Sequence, residues 1–129
     1  MKTIGIGVDI TQNKRIKVLI KKKNFITRIF GKREILHSKK KIDKTSYFAK
    51  RFAAKESLMK AIGTGFRGGM NFNDIEVVNN HLGKPYYLLN KKLKSFIKKK
   101  MNIKNFDLFL SISDEKEYSI AFTILQTRK

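Results

Sequence analysis

The sequence predicts an α+β fold with a largely antiparallel sheet. Three observations carry that expectation. Strand-like and helix-like segments are interspersed along the chain, at least two strand pairs are joined by short turns, and one long helical stretch runs through the middle to a pair of glycines. At 129 residues the chain has the length of one domain, and no linker, repeat or low-complexity boundary divides it. Residues 1–129 are therefore expected to form a single domain.

Thr3 to Ile10 alternates, with Ile4, Ile6, Val8 and Ile10 on one side and Gly5, Gly7 and Asp9 on the other. That is the period of a strand with one packed face, and it leaves Asp9 on a face cleared by two glycines. Bare strand surface of this kind accommodates either close backbone contact or a bulky charged ligand. Thr11 is placed to cap a helix running through Arg15, Ile16 and Leu19. Phe25 to Phe30 is a second short helix stopped near Gly31, and Lys32 to Ser38 continues as a turn or short helix.

From Asp43 or Thr45 a longer helix reaches Ile62, and Gly63 to Met70 then holds four of the eight glycines. That loop lacks a Walker lysine–serine signature and is not a P-loop. Ile75 to Val78 reads as a strand, Asn79 to Gly83 as a turn and Tyr86 to Leu89 as the return, with the single Pro85 at its tolerated start. Asn90 to Met101 is an amphipathic helix carrying Leu93, Phe96 and Ile97 on one side. Asp107 to Ser113 and Tyr118 to Leu125 alternate as strands, and Asp114 to Glu117 joins them in a C-terminal hairpin.

The stretch Arg51 to Gly65, RFAAKESLMKAIGTG, organises the rest. Phe48, Phe52, Leu58, Met59 and Ile62 share one apolar arc at 3.6 residues per turn, with Glu56 and Lys60 together at its border. An acid four residues before a base is an ordinary helix-stabilising pair. Lys55, however, falls inside the arc, so its ammonium must snorkel or meet an anion. Asp9 comes near Glu56 only if this helix lies over the sheet.

Composition narrows the classes. Cysteine is absent and only two histidines occur, which excludes disulfides and thiolate chemistry and argues against structural zinc. The N-terminus lacks a long apolar run, and no stretch approaches the roughly 18 apolar residues of a membrane span. A soluble, cytoplasmic protein without membrane association is expected. The formal net charge is +20, from 30 Lys and Arg against 10 Asp and Glu. Such a surface draws nucleic acid, anionic membrane or acidic protein. The scattered lysine runs fit general solvation as well as selected binding.

Several blocks in order carry a resemblance: GIGVDI at 5–10, RFAAKESLMKAIGTG at 51–65, FNDIEVVNNHLGKPYY at 72–87, and SIS followed by EYSIAF within 111–122. Together they resemble the holo-acyl-carrier-protein synthases, the short bacterial type of 4'-phosphopantetheinyl transferase. The resemblance implies that fold, a trimer with active sites between subunits, and transfer of phosphopantetheine from coenzyme A to a serine of apo acyl carrier protein in fatty acid biosynthesis. By the same resemblance Asp9 and Glu56 bind magnesium, which suits hard oxygen ligands of this kind. Lys60 lies at the diphosphate, and Glu56, or a water on the metal, takes the serine proton.

The resemblance further implies coenzyme A contacts from Gly63, Thr64, Gly65, Lys84 and Pro85, with Arg51, Lys55 and Lys84 available for phosphates and Ser111 within reach of ligand. Arg15 on the first helix matches best the position expected to receive the acidic carrier protein, with Arg28 as the second candidate. Two positions depart from the family. Asp114 and Phe109 stand where many members carry histidine, so those imidazole contacts are not carried over. His37 and His81 lie elsewhere and read as surface residues. The rival reading is a basic nucleic-acid-binding module, for which RNP, KH and zinc-finger signatures are all missing.

Overall fold

The computed structural model describes residues 1–66 and 68–128. Five strands and five helices follow one another as β1 (Lys2–Gln12), α1 (Asn13–Leu19), α2 (Lys23–Ile29), α3 (Lys32–Ser38), α4 (Lys44–Ile62), β2 (Glu76–Asn79), β3 (Pro85–Leu88), α5 (Lys91–Met101), β4 (Phe106–Asp114) and β5 (Tyr118–Thr127), with a 3₁₀ turn at Phe72–Asp74. The α+β class and the antiparallel pairing hold. The strands divide into two sheets, one of order β1-β5-β4 and a separate β2-β3 hairpin.

Helix α4 is built to be buried. The Asp43 side chain accepts the Ser46 N–H at 3.0 Å at its start, and Gly63, with φ of 91°, ends it in the left-handed region that glycine tolerates. Thirteen of its nineteen residues are buried. The N-terminal half packs Tyr47, Phe48 and Phe52 against Ile16, Phe25 and Phe30 of the short helices. The C-terminal half packs Leu58, Met59 and Ile62 against α5 and both sheets through Leu93, Ile97, Val77 and Leu125.

The first strand turns out to pack the other way round. Gly5 and Gly7 face α4, where an added Cβ would lie 2.0 Å from the Ala61 carbonyl oxygen and 1.9 Å from that of Ser57. Ile6, Val8 and Ile10 are exposed at 61%, 52% and 63%. The apolar side expected to be the packed one therefore faces away from the rest of the chain. A register shift between Thr3 and Gly5 frees Ile4 to join the core instead. Thr11 is also corrected: it belongs to β1, Gln12 takes the helix-capping position without a side-chain bond, and the Thr11 hydroxyl donates to Asp9.

Polar groups buried beneath α4 fix its rotation. The Tyr87 hydroxyl donates to the Ala54 carbonyl oxygen at 2.6 Å and lies 2.7 Å from Thr123 Oγ1, which in turn lies 2.7 Å from Ser57 Oγ. Burial pushes the Tyr87 phenol well above its ordinary range. On another flank, Lys55 and Glu34 form a fully buried ion pair at 2.6 Å. Lys55 Nζ also donates to the Phe72 and Ile75 carbonyl oxygens. Glu34 accepts the Gly31 and Val77 N–H groups at 3.0 Å each. Every charge-bearing atom of the pair is thus hydrogen-bonded, as burial at this depth requires.

The contact between helix and strand gives a stability prediction. Gly7→Ala forces a methyl into the Ser57 carbonyl, so urea denaturation should show a loss of about 3 kcal/mol, the upper range for overpacking, with the slope unchanged. A loss under half that size would mean that α4 yields easily.

Candidate active site

Asp9 lies two residues beyond Gly7 on the same inward face of β1, where the glycines have let α4 come close. Glu56, beside the anchored Ser57, and Lys60, one turn further, meet it from the helix. Asp9 is mostly shielded, its side chain 14% exposed. Its Oδ2 accepts the Thr11 hydroxyl at 2.7 Å, and its Oδ1 accepts Lys60 Nζ at 3.2 Å. Lys60 also donates to the Val8 carbonyl oxygen at 3.0 Å while remaining half exposed.

Burial raises the Glu56 carboxyl above its ordinary 4.5, and the neighbouring Asp9 charge raises it further; Lys60 and Arg15 act in the opposite direction. The fold thereby gathers two acids and two bases, from β1, α1 and α4, at one edge of the sheet. Arg15 is the exposed outer member, its guanidinium carbon 5.5 Å from the centre of the Phe52 ring. Arg28 is exposed on α2, in a groove of about 530 Å³ shared with Leu19, Lys22 and Phe25.

A second concentration of polar groups surrounds Arg51. This residue is buried, stacks 3.7 Å over the Tyr47 ring, and donates through Nη2 to Asn79 Oδ1 at 2.6 Å. Among the described residues no carboxylate pairs with it, and its Nε is buried without a hydrogen-bond partner. Burial lowers the guanidinium pKa from its ordinary value. Lys50, Arg51, Asn79, Gly83, Pro85 and Asp114 line an adjoining cavity of about 140 Å³. The Asp114 carboxylate accepts the Ser46 hydroxyl there at 2.8 Å.

The remaining expected residues fall into three groups. Gly63, Thr64 and Gly65 form the turn that follows Lys60's helix, with Gly63 and Gly65 at φ of 91° and 64°, and Lys84 is exposed beside Pro85 at the hairpin tip. Ser111 is exposed on the outward face of β4, level with Phe122 and Val8. Within one chain it is therefore on the opposite side of the sheet from Asp9. Lys55 requires a correction. All its donors are used inside the protein, at zero exposure, so it has nothing to offer a phosphate.

Of the two outcomes open to Lys55, snorkelling or meeting an anion, the second holds, and its partner Glu34 lies 21 positions away in a helix with no motif to mark it. Asn79 reads from the sequence as a turn residue, although it anchors Arg51. His37 and His81 are exposed, as expected.

A divalent cation needs a donor set that suits it. No cluster of three or more His, Cys, Asp or Glu occurs among the described residues. Magnesium does not need one, because it retains waters and takes one or two carboxylates beside phosphate oxygens. Asp9 and Glu56, whose carboxyl feels the Asp9 charge, fit that requirement.

A family model described as the 4'-phosphopantetheinyl transferase superfamily matches residues 5–123. A holo-[acyl-carrier-protein] synthase of Pelagibacter ubique is 54% identical over 128 residues, covering 99% of this chain and all of its own. The crystal structure of the Neisseria meningitidis holo-[acyl-carrier-protein] synthase superposes with a TM-score of 0.87 at 36% identity, covering 97% and 99% of the two chains. That of Bacillus anthracis, in complex with CoA (3',5'-ADP), superposes with a TM-score of 0.81 at 33% identity over 99% and 100%.

The raised Glu56 carboxyl has a consequence for stability. A carboxyl whose folded pKa exceeds its unfolded one favours the folded state below the unfolded value and loses that benefit as pH rises through the folded value. Glu56→Gln should therefore melt above the parent protein at neutral pH. The gain should fade as pH drops below about 4.5, where the Glu56 carboxyl becomes protonated in the folded and unfolded states alike. Parallel melting curves from pH 4 to 8 check this, and a difference independent of pH contradicts it.

Proposed function

The chain belongs to the 4'-phosphopantetheinyl transferase superfamily, and we propose that it is a holo-acyl-carrier-protein synthase acting in fatty acid biosynthesis. It moves 4'-phosphopantetheine from coenzyme A to a serine of apo acyl carrier protein and releases adenosine 3',5'-bisphosphate. The observation that carries this reading is the convergence of Asp9, Glu56 and Lys60 at the junction of β1 and α4. The span 1–129 is read as one transferase domain. The enzyme is read as magnesium-dependent and cytoplasmic; among the described residues no helix is long and apolar enough to cross a membrane.

Transfer requires the serine oxygen to attack the β-phosphorus while the bond to the departing bisphosphate breaks, so charge must be stabilised on the nonbridging oxygens. Asp9 and Glu56 are the residues that would hold magnesium, and when bound that ion supplies charge neutralisation at the diphosphate. Lys60 reaches the same oxygens as an electrostatic clamp, its half exposure leaving the ammonium room to turn outward. Glu56, or a water held beside it, would take the serine proton. Arg51 and the Gly83 to Pro85 tip receive phosphate and nucleotide of coenzyme A, and the Gly63 to Gly65 turn borders the diphosphate. A buried guanidinium without a carboxylate partner supports that role for Arg51.

Arg15 and Arg28 face solvent on α1 and α2 and receive the acidic carrier protein, whose approach such charges accelerate. We read the assembly as a trimer. The outward face of the larger sheet carries Ile6, Val8, Ile10, Phe109, Ile120 and Phe122, all exposed, which is more apolar surface than an isolated sheet face leaves to water. Ser111 shares that face and so lies where a neighbouring copy would meet it. The nucleic-acid reading retains only the net charge in its favour.

Mass spectrometry of apo carrier protein incubated with the chain, coenzyme A and magnesium should show one added phosphopantetheine, lost on chelation. Glu56→Gln should lower the rate by at least about a hundredfold with folding intact, the scale of a lost general base; undiminished transfer would sink the assignment. For the assembly, Phe122→Lys should convert the trimer to monomers in sedimentation, and an unaltered sedimentation coefficient would place the interface elsewhere.

A further inference from the structure

Resting on this reading of the site, the ion pair between Lys60 and Asp9 carries one more step. The two oxygens of Asp9 are both engaged, one by the Thr11 hydroxyl and the other by the Lys60 ammonium at 3.2 Å. The two partners differ in freedom. Thr11 is buried and held within β1. Lys60 is half exposed, on a flexible side chain, and apart from Asp9 its one hydrogen-bond partner among the described residues is the Val8 carbonyl oxygen.

We propose that Lys60 is a positioning residue for Asp9: before the donor binds, its ammonium stands in for the divalent cation at Oδ1, and it moves to the donor's diphosphate when the cation takes that oxygen. Three features of the site support such a substitution. An aspartate this shielded, next to Glu56, is costly without a nearby positive charge. A half-exposed ion pair is weak enough for a divalent cation to displace. The ammonium released by that exchange then has no carboxylate left among the described ion pairs and is free for an incoming anion.

The consequence is coupling. Cation and donor each favour the arrangement in which Lys60 has left Asp9, so each tightens the other's binding through the lysine, beyond their direct contact. A lysine serving only to clamp the diphosphate would have no effect on cation affinity in the absence of donor.

Calorimetric titration of magnesium into the full chain, with neither coenzyme A nor carrier protein, reads the competition directly. Lys60→Met should bind magnesium about two- to fivefold more tightly than the parent, the factor expected for losing a partly exposed competing pair. Unchanged or weaker binding overturns the proposal. Lys17→Met, an exposed lysine on α1 with no bond to either acid, should leave the affinity within about twofold; an equal gain there would mean a diffuse field rather than an exchange, and would also overturn it. Repeating both titrations with saturating coenzyme A should show a smaller donor-induced gain in Lys60→Met than in the parent, and equal gains count against the coupling. A transfer assay on the same parent preparation separates the two levels. Active enzyme with unaltered Lys60→Met affinity removes this proposal alone, whereas absent transfer with no magnesium heat removes the reading beneath it.

Discussion

The molecule depends on how closely α4 can lie on β1. Two glycines on the inner side of the strand let the Ser57 and Ala61 carbonyl oxygens occupy space in which any Cβ would collide. That approach sets the distance from Asp9 to the helix, and through it the whole arrangement of acids and bases. Glycine in a strand normally weakens it. Here the loss is offset by burying most of the helix, with sheet beneath it and aromatic side chains of the short helices around its first half.

Rotation matters as much as distance, because consecutive helical residues point about 100° apart. Lys55 and Ser57 bracket Glu56 in sequence, and each is tied down on its own flank, the first by Glu34 and the second by the Thr123 and Tyr87 hydroxyls. With both neighbours fixed, Glu56 has little choice of direction. The buried ion pair is therefore best understood as orientation rather than as net stabilisation, which such pairs seldom provide.

The order and type of the elements were legible because their signals are local. Asp43 caps, Gly63 terminates, and the alternating stretches mark strands within a residue or two of their observed ends. Which face of β1 is buried was not legible. Alternation announces two faces but says nothing about which one meets the same chain, and an apolar side turned outward looks identical to one turned in. For the site, the resemblance named Asp9, Glu56 and Lys60, but their meeting required the helix to cross the sheet, a tertiary fact. Lys55 was half-read: its position in the apolar arc left it to snorkel or to meet an anion, and a distant glutamate, not a ligand, is the anion it meets. Ser111 alternates correctly yet faces away, because β4's inner positions are Leu108, Leu110 and Ile112.

Arg51 shows what such a fold gains from a charge kept out of water. Its guanidinium has shed most of its hydration during folding and rests on Tyr47 and Asn79 with one nitrogen still unmatched. An anion entering that cavity meets a cation that needs neither drying nor reorientation, so nearly all of the electrostatic attraction is expressed as affinity. Because Asn79 lies on β2 and Arg51 on α4, an anion held there would tie the β2-β3 hairpin to the central helix.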